Sequence, residues 1–151
     1  MKKYLILFTI ILSTESSIAQ CPIPFDVLDK STNLTFSSFD TFALKNGYTF
    51  NSEENIFFCD IEFKKNANQM LIRSQTETGY NLIQHSFFSK QSYLDYKEIL
   101  ENKGELNGTN TSNNTLTLIY TYDKRLVTLQ TKTVISTTLY FITFSNEKLR
   151  E

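Results

Sequence analysis

The feature that most constrains this chain is a change of hydrophobic period that occurs twice in the same order, a helical segment followed by segments of strand-like alternation. In the first pass, Phe39 to Gly47 is short and amphipathic. Ser37 or Ser38 can cap it, Asp40 lies in its first turn and Gly47 closes it. The second pass opens on Ser89 to Gly104, where Tyr93, Tyr96 and Leu100 recur at helical spacing and Gly104 stands where a left-handed cap residue belongs. Asp95, Lys97, Glu98 and Glu101 fall mostly off this aromatic stripe and read as a solvated face.

After each helix the period drops to two. In Ile56 to Phe63, Phe57, Cys59, Ile61 and Phe63 are apolar while Asp60 and Glu62 alternate with them, which suits a strand with one buried face. Met70 to Thr76 and Tyr80 to Phe88 follow, and the second pass repeats the order with Leu116 to Tyr122, Leu126 to Thr133 and Thr138 to Phe144. β-Branched and aromatic residues dominate these runs. Gly47 and Gly104, Leu71 and Val127, and Leu82 and Tyr140 are offset by about the same interval, although few residue identities are shared. The connections Lys64 to Gln69, Glu77 to Gly79 and Asp123 to Arg125 are short and polar, so the strands they join must be antiparallel.

The fold expected is therefore α+β: a mainly antiparallel sheet of about six strands with two helices on one face, in two halves of helix plus three strands compatible with pseudo-symmetry. Glu105 to Asn114, rich in Asn, Thr and Gly, reads as a mobile surface loop. Asn107, Asn110 and Asn113 within it, and Asn33, each begin an N-glycosylation triplet that reads here as composition. Cys21 to Phe36 carries turn signals at Pro22 and Pro24 and a short apolar set in Phe25, Val27 and Leu28, and is expected to lie across the domain as an arm or edge. At the level of fold alone, tandem helix-and-sheet halves resemble exported β-lactamase inhibitor proteins, with which the chain shares no motif.

The start of the chain bears on its compartment. Lys2 and Lys3 precede an uncharged, largely apolar run from Tyr4 to Leu12 and a small, polar stretch to Gln20, the three-part plan of a secretory signal. Ser17 and Ala19 suit cleavage before Gln20, giving a signal over 1–19 and one globular domain over 20–151. The apolar run is well short of the roughly 20 residues needed to span a bilayer, so no membrane span is expected after signal removal. A lipoprotein anchored at Cys21 is the alternative, and Gln20, where a small residue is wanted, argues against it.

Composition removes several function classes. The chain is 40% apolar with 13 Phe and 8 Tyr, too core-rich for disorder. Its net charge is −1, and loss of Lys2, Lys3 and Glu15 makes it one unit more negative, which leaves no footprint for nucleic acid. His85 is the sole histidine and sits mid-strand with no nucleophile motif around it. One histidine and two cysteines cannot build a usual zinc centre, the acidic residues show no calcium loop, and no phosphate-cradling glycine loop occurs, so neither a metal nor a cofactor is expected. Asp60 and Glu62 share one face of one strand, whereas glycosidase carboxylates come from different elements across a cleft.

Cys21 and Cys59 are the only cysteines, and an oxidising compartment favours pairing them into a disulfide; the alternative is a buried Cys59 beside a loose or lipidated Cys21. Both sides of the last strand are apolar. If Tyr140, Ile142 and Phe144 fill the core, then Leu139 and Phe141, with Ile119, must meet something else: a partner, the N-terminal arm or a second copy. These residues point to an exported, non-catalytic module of inhibitor, immunity or adhesion type that binds a protein or glycan. The runner-up is a carrier of a small apolar ligand in a pocket lined by Phe57, Phe63, Tyr96, Tyr120 and Tyr140. A hydrolase ranks last for want of a triad, metal set or acid pair.

Overall fold

The computed structural model describes residues 21, 23–59, 69–77 and 79–148, with the side chains of Glu147 and Lys148 left aside. Helices α1 (Phe25–Ser31) and α2 (Phe36–Lys45) precede strands β1 (Thr49–Asn51), β2 (Ile56–Cys59), β3 (Gln69–Gln75) and β4 (Asn81–Phe87). Helix α3 (Lys90–Lys103) then precedes β5 (Glu105–Ser112), β6 (Thr115–Tyr122), β7 (Arg125–Val134) and β8 (Thr137–Lys148). All eight strands form one antiparallel sheet in the order β1-β2-β3-β4-β8-β7-β6-β5. The chain is thus mixed α+β, with eight strands and three helices among the described residues rather than six and two.

The order is that of two four-strand meanders, each introduced by a helix and joined to the other along their last strands. One sequence interval separates Phe39 from Tyr96, Ala43 from Leu100 and Gly47 from Gly104, and the same interval separates His85 from Ile142, which face each other across the β4–β8 seam. All three helices pack on one face. Phe25 of α1 meets Phe144, Phe39 of α2 meets Phe57, and Tyr93 and Tyr96 of α3 meet Tyr140 and Phe87. Tyr140, Ile142 and Phe144 are buried in this layer together with Leu71, Ile83 and Leu129.

Four local expectations need correction. The segment from Cys21 to Phe36 is no arm: α1 buries Phe25 and Leu28, and Ile23 before it is also buried, so this stretch roofs the second half of the core. Seven residues behind Pro24 give too short an apolar pattern for a helix to be seen in sequence. Glu105 to Asn114 is not a loop, because β5 pairs with β6 along its length and the turn between them holds Asn113 and Asn114 at φ 47° and 60°. Two successive left-handed residues make the hairpin turn that matches strand twist, and asparagine is a residue that tolerates them. The cap of α2 is Thr35, whose hydroxyl accepts from Ser38 N at 3.2 Å, so neither Ser37 nor Ser38 starts the helix.

Gly104 does end α3, but in an extended conformation, φ −113° and ψ 177°. A Cβ there would stand 2.9 Å from the carbonyl oxygens of Leu100 and Thr121, so glycine is required for close approach of helix end and strand, not for a left-handed turn. Gly47, at φ 84°, is the left-handed one. Residues 60–68, holding Asp60, Ile61, Glu62 and Phe63, and the leader over 1–19 lie outside the described residues.

Candidate functional site

With the helices on one side, alternation sends every second strand residue to the other. The register places them in rows. Ile119 stands opposite Thr128, Thr128 opposite Thr143, Thr143 opposite Gln84 and Gln84 opposite Ile72. The next row runs Asn110, Thr117, Gln130, Phe141, Ser86, Met70 and Phe58, and Leu139 stands opposite Lys132 beyond it. Ile119, Leu139 and Phe141 therefore share this face, which is helix-free among the described residues, and each is half-buried.

The chemistry of the face is neutral. Gln130 donates to Thr117 at 2.9 Å and Gln84 to Thr143 at 3.4 Å, so amide and hydroxyl groups already cross-link the rows while keeping further hydrogen-bonding capacity. Among the described side chains, its only charges are Lys132 and Glu105, both exposed and near its margins. The half toward β1 is more apolar, with Phe58, Met70, Ile72 and Leu82, and the half toward β5 is richer in hydroxyls.

The opposite layer holds the buried polar side chains His85, Arg125 and Tyr48. His85 is 1% exposed, with Nε2 2.7 Å from the Tyr48 hydroxyl, which in turn donates to the Cys21 carbonyl at 3.1 Å. That direction makes Nε2 the protonated nitrogen and leaves Nδ1 as a bare acceptor, cheaper to bury unpaired than an N–H would be. Burial pushes the His85 pKa down to about 3, so the ring is neutral at physiological pH. It stacks on Phe87.

Cys21 and Cys59 are joined in a disulfide, Cα to Cα 6.2 Å, which ties the start of α1 to β2 beside Tyr48. Two arginines escaped the sequence reading. Arg125, 7% exposed, lies 2.6 Å from Asp29 and 3.3 Å from Asp123 and donates to the Thr32 hydroxyl at 3.0 Å, locking α1 to the β6–β7 turn. Desolvation raises the pKa of Asp29 despite that neighbour. Arg73 donates to the Leu34 carbonyl at 2.7 Å and lies with its guanidinium carbon 4.1 Å over the Phe36 ring. No periodic signal marks either residue; each is read only once α1 is known to lie over the sheet.

Concavities open on the helical side, two of them walled by described residues. The larger, about 590 Å³, runs between α1 and α3 and is walled by Ile23, Phe25, Tyr96, Ile99 and Tyr122 with Asp26, Asp95 and Lys103 at its rim. The smaller, about 140 Å³, lies beneath Phe36 and Phe50. Of the residues expected to line a carrier pocket, Tyr96 borders the larger and Phe57 the smaller, Tyr120 and Tyr140 are packed in the core, and Phe63 lies outside the described residues. Among the described residues no group of three or more His, Cys, Asp or Glu could hold a metal, and no helix is long and apolar enough to cross a membrane. No protein-family model, curated protein or solved structure matches the chain.

Proposed function

We propose that this is an exported, non-catalytic binding module that engages a protein partner through the helix-free face of its sheet. The observation that carries the reading is a face continuous across both halves, apolar at Ile119, Leu139, Phe141, Phe58 and Ile72, neutral between them and, among the described side chains, charged only at its margins. Depletion of charge from the centre with polar groups around it is the composition of a protein interface. Eight strands spaced by about 4.8 Å, from about 10 Å long at β1 to about 40 Å at β8 and averaging near 25 Å, give an area on the order of 800 Å², close to the ~800 Å² per partner of a standard complex. A glycan would call for flat, exposed rings, and Phe58 and Phe141 are half-buried. The disulfide supports an oxidising compartment.

Replacing Ile119 and Phe141 by serine tests the face. Crosslinked partner protein, recovered from the exported fraction with wild-type bait, should fall at least tenfold with the double variant while its far-UV circular dichroism and melting temperature stay near wild type. Unchanged capture, or unfolding of the variant, sinks the proposed face. Retained glycan-array binding that the double variant loses would replace the protein partner with a glycan. Intact mass of the exported chain checks the compartment: it should begin at Gln20 with two cysteines oxidised, and an acylated Cys21 would make it a lipoprotein.

A second reading has one observation in its favour. The α1/α3 groove, at about 590 Å³, is within the size range of small-molecule sites, but it is walled mainly by two helices, with Tyr122 the one sheet residue, and of the residues expected to line a carrier pocket it holds only Tyr96.

A further inference from the structure

Helix α3 carries more than its core stripe. Tyr93, Tyr96 and Leu100 point into the core, and beside them a second stripe, Asp95, Ile99 and Lys103, repeats every four residues along the wall of the α1/α3 groove. Ile99 is half-buried against the core, whereas Asp95 and Lys103 are exposed. Neither takes part in an ion pair among the described residues; Asp95 only accepts from Gln91 at 2.7 Å, and the neighbouring Asp26 is already paired with Lys30 at 3.3 Å. Across the helix, Lys97 is spent on Glu101.

The order of that stripe is acidic, apolar, basic, with the apolar residue at its midpoint. Such an order is complementary to itself when reversed. Two copies of α3 packed antiparallel about a twofold axis at Ile99 would set Asp95 of one chain opposite Lys103 of the other, twice, around an Ile99–Ile99 contact. Each chain's ridge would enter the other's groove between α1 and α3. In a twofold interface residue i meets j and j meets i, and that is the requirement this stripe satisfies. The antiparallel pairing also sets opposed helix ends side by side.

We infer that the α1/α3 groove is a self-association surface, and that its occupant is helix α3 of a second copy of this chain, registered by reciprocal Asp95–Lys103 pairs. It leaves the helix-free sheet face untouched, so a dimer would present two such faces to partners. Rim charges set orientation and register more than they set affinity, and the apolar contact at Ile99 supplies the rest.

The test is a charge exchange read by sedimentation velocity on the signal-cleaved chain. Wild type should show a concentration-dependent dimer in the micromolar range. D95K alone and K103D alone should each weaken self-association at least tenfold, because each makes the stripe repel its own copy. An equimolar mixture of D95K and K103D should recover wild-type association as a heterodimer, and the double variant D95K/K103D should recover it as a homodimer. A general loss of packing would not be restored by mixing. A wild-type chain that stays monomeric to about 1 mM, single variants that dimerise normally, or a mixture that stays monomeric would each overturn the inference. So would a monomer that binds 1-anilinonaphthalene-8-sulfonate and loses it in Ile99→Asp, an outcome that gives the groove to a small ligand instead.

Discussion

Counted over the described residues, the strands in the first half of the sheet run three, four, seven and seven residues, and in the second eight, eight, ten and twelve. The plan is the same and the means of support differ. Strand β1, three residues long, has few ladder bonds with which to resist fraying, and the half that holds it also carries the Cys21–Cys59 disulfide, the Tyr48–His85 bond and the Arg73–Leu34 bond. The longer meander carries no covalent tie among the described residues. It relies on extended pairing, on α3, and on one buried ion pair at Arg125. Staples and ladders are thus alternative answers to one topological problem.

The sharpest way to break this comparison is to remove the covalent staple. A loop of 38 residues closed by a disulfide contributes about 4 kcal/mol in the chain-entropy model. Replacing Cys21 and Cys59 by serine should cost that order of stability in denaturant titration. Hydrogen exchange should show where the loss falls, with β1, β2 and the start of α1 opening first and β6 and β7 keeping their protection. Uniform loss across both halves would mean that the staple supports the whole sheet equally.

The second half has its own weak point at Gly104. Adding a methyl there drives it against two backbone carbonyl oxygens at 2.9 Å, neither of which can move without shifting α3 or β6. Gly104→Ala should destabilise by about 2 kcal/mol, whereas Gly79→Ala, with open space around it, should cost only the strain of its φ of 89°, about 1 kcal/mol. Equal effects would show that close approach is not what Gly104 is for.

These positions also show how far the residues could be read without the fold. The long helix, the strands β3, β4, β6, β7 and β8 and the cysteine pair follow from period, turn chemistry and residue count. What stayed hidden depends on tertiary partners. Strand β5 has no alternation of its own and is a strand because β6 offers it a ladder. Helix α1 is too short to show a period and is held by Arg125, which lies far away in sequence. That Ile119, Leu139 and Phe141 lie off the helical layer follows from alternation in strands apolar on both sides; the groove beside α3 does not, because it needs α1 in place.

Acid titration sharpens the comparison through His85, which belongs to the stapled half but lies at the seam. Its folded pKa, about 3, is below the unfolded value near 6.5, so below that pH the unfolded chain takes up a proton that the folded one refuses. This contribution to stability is full above pH 6.5 and is lost as pH falls, amounting to about 2 kcal/mol by pH 5. His85→Gln should flatten the stability profile between pH 7 and 5. A profile as steep as wild type would place the acid sensitivity in other groups.

The smallest effect compares one turn in the two halves. Between β3 and β4 the chain places Gly79 at φ 89°, and between β7 and β8 it places Ile135 at φ 56°, with the isoleucine side chain 99% exposed. A left-handed φ costs an L-residue roughly 1–2 kcal/mol, and a β-branched one more, while glycine reaches it freely at an entropic cost of about 0.5–1 kcal/mol. The isoleucine gains nothing back by burial. Ile135→Gly should therefore raise stability by about 1 kcal/mol, and Ile135→Asn by somewhat less, read as a shift of the denaturation midpoint at constant slope. Gly79→Ile should lower it by more than the first change raises it. If Ile135→Gly is neutral or destabilising, the strained turn is not a cost the fold merely tolerates, and the two hairpins differ in more than their loop residue. If it stabilises as expected while weakening partner capture, the exposed Ile135 extends the contact surface past the edge of the sheet, and the second half has kept strain where the first kept a glycine.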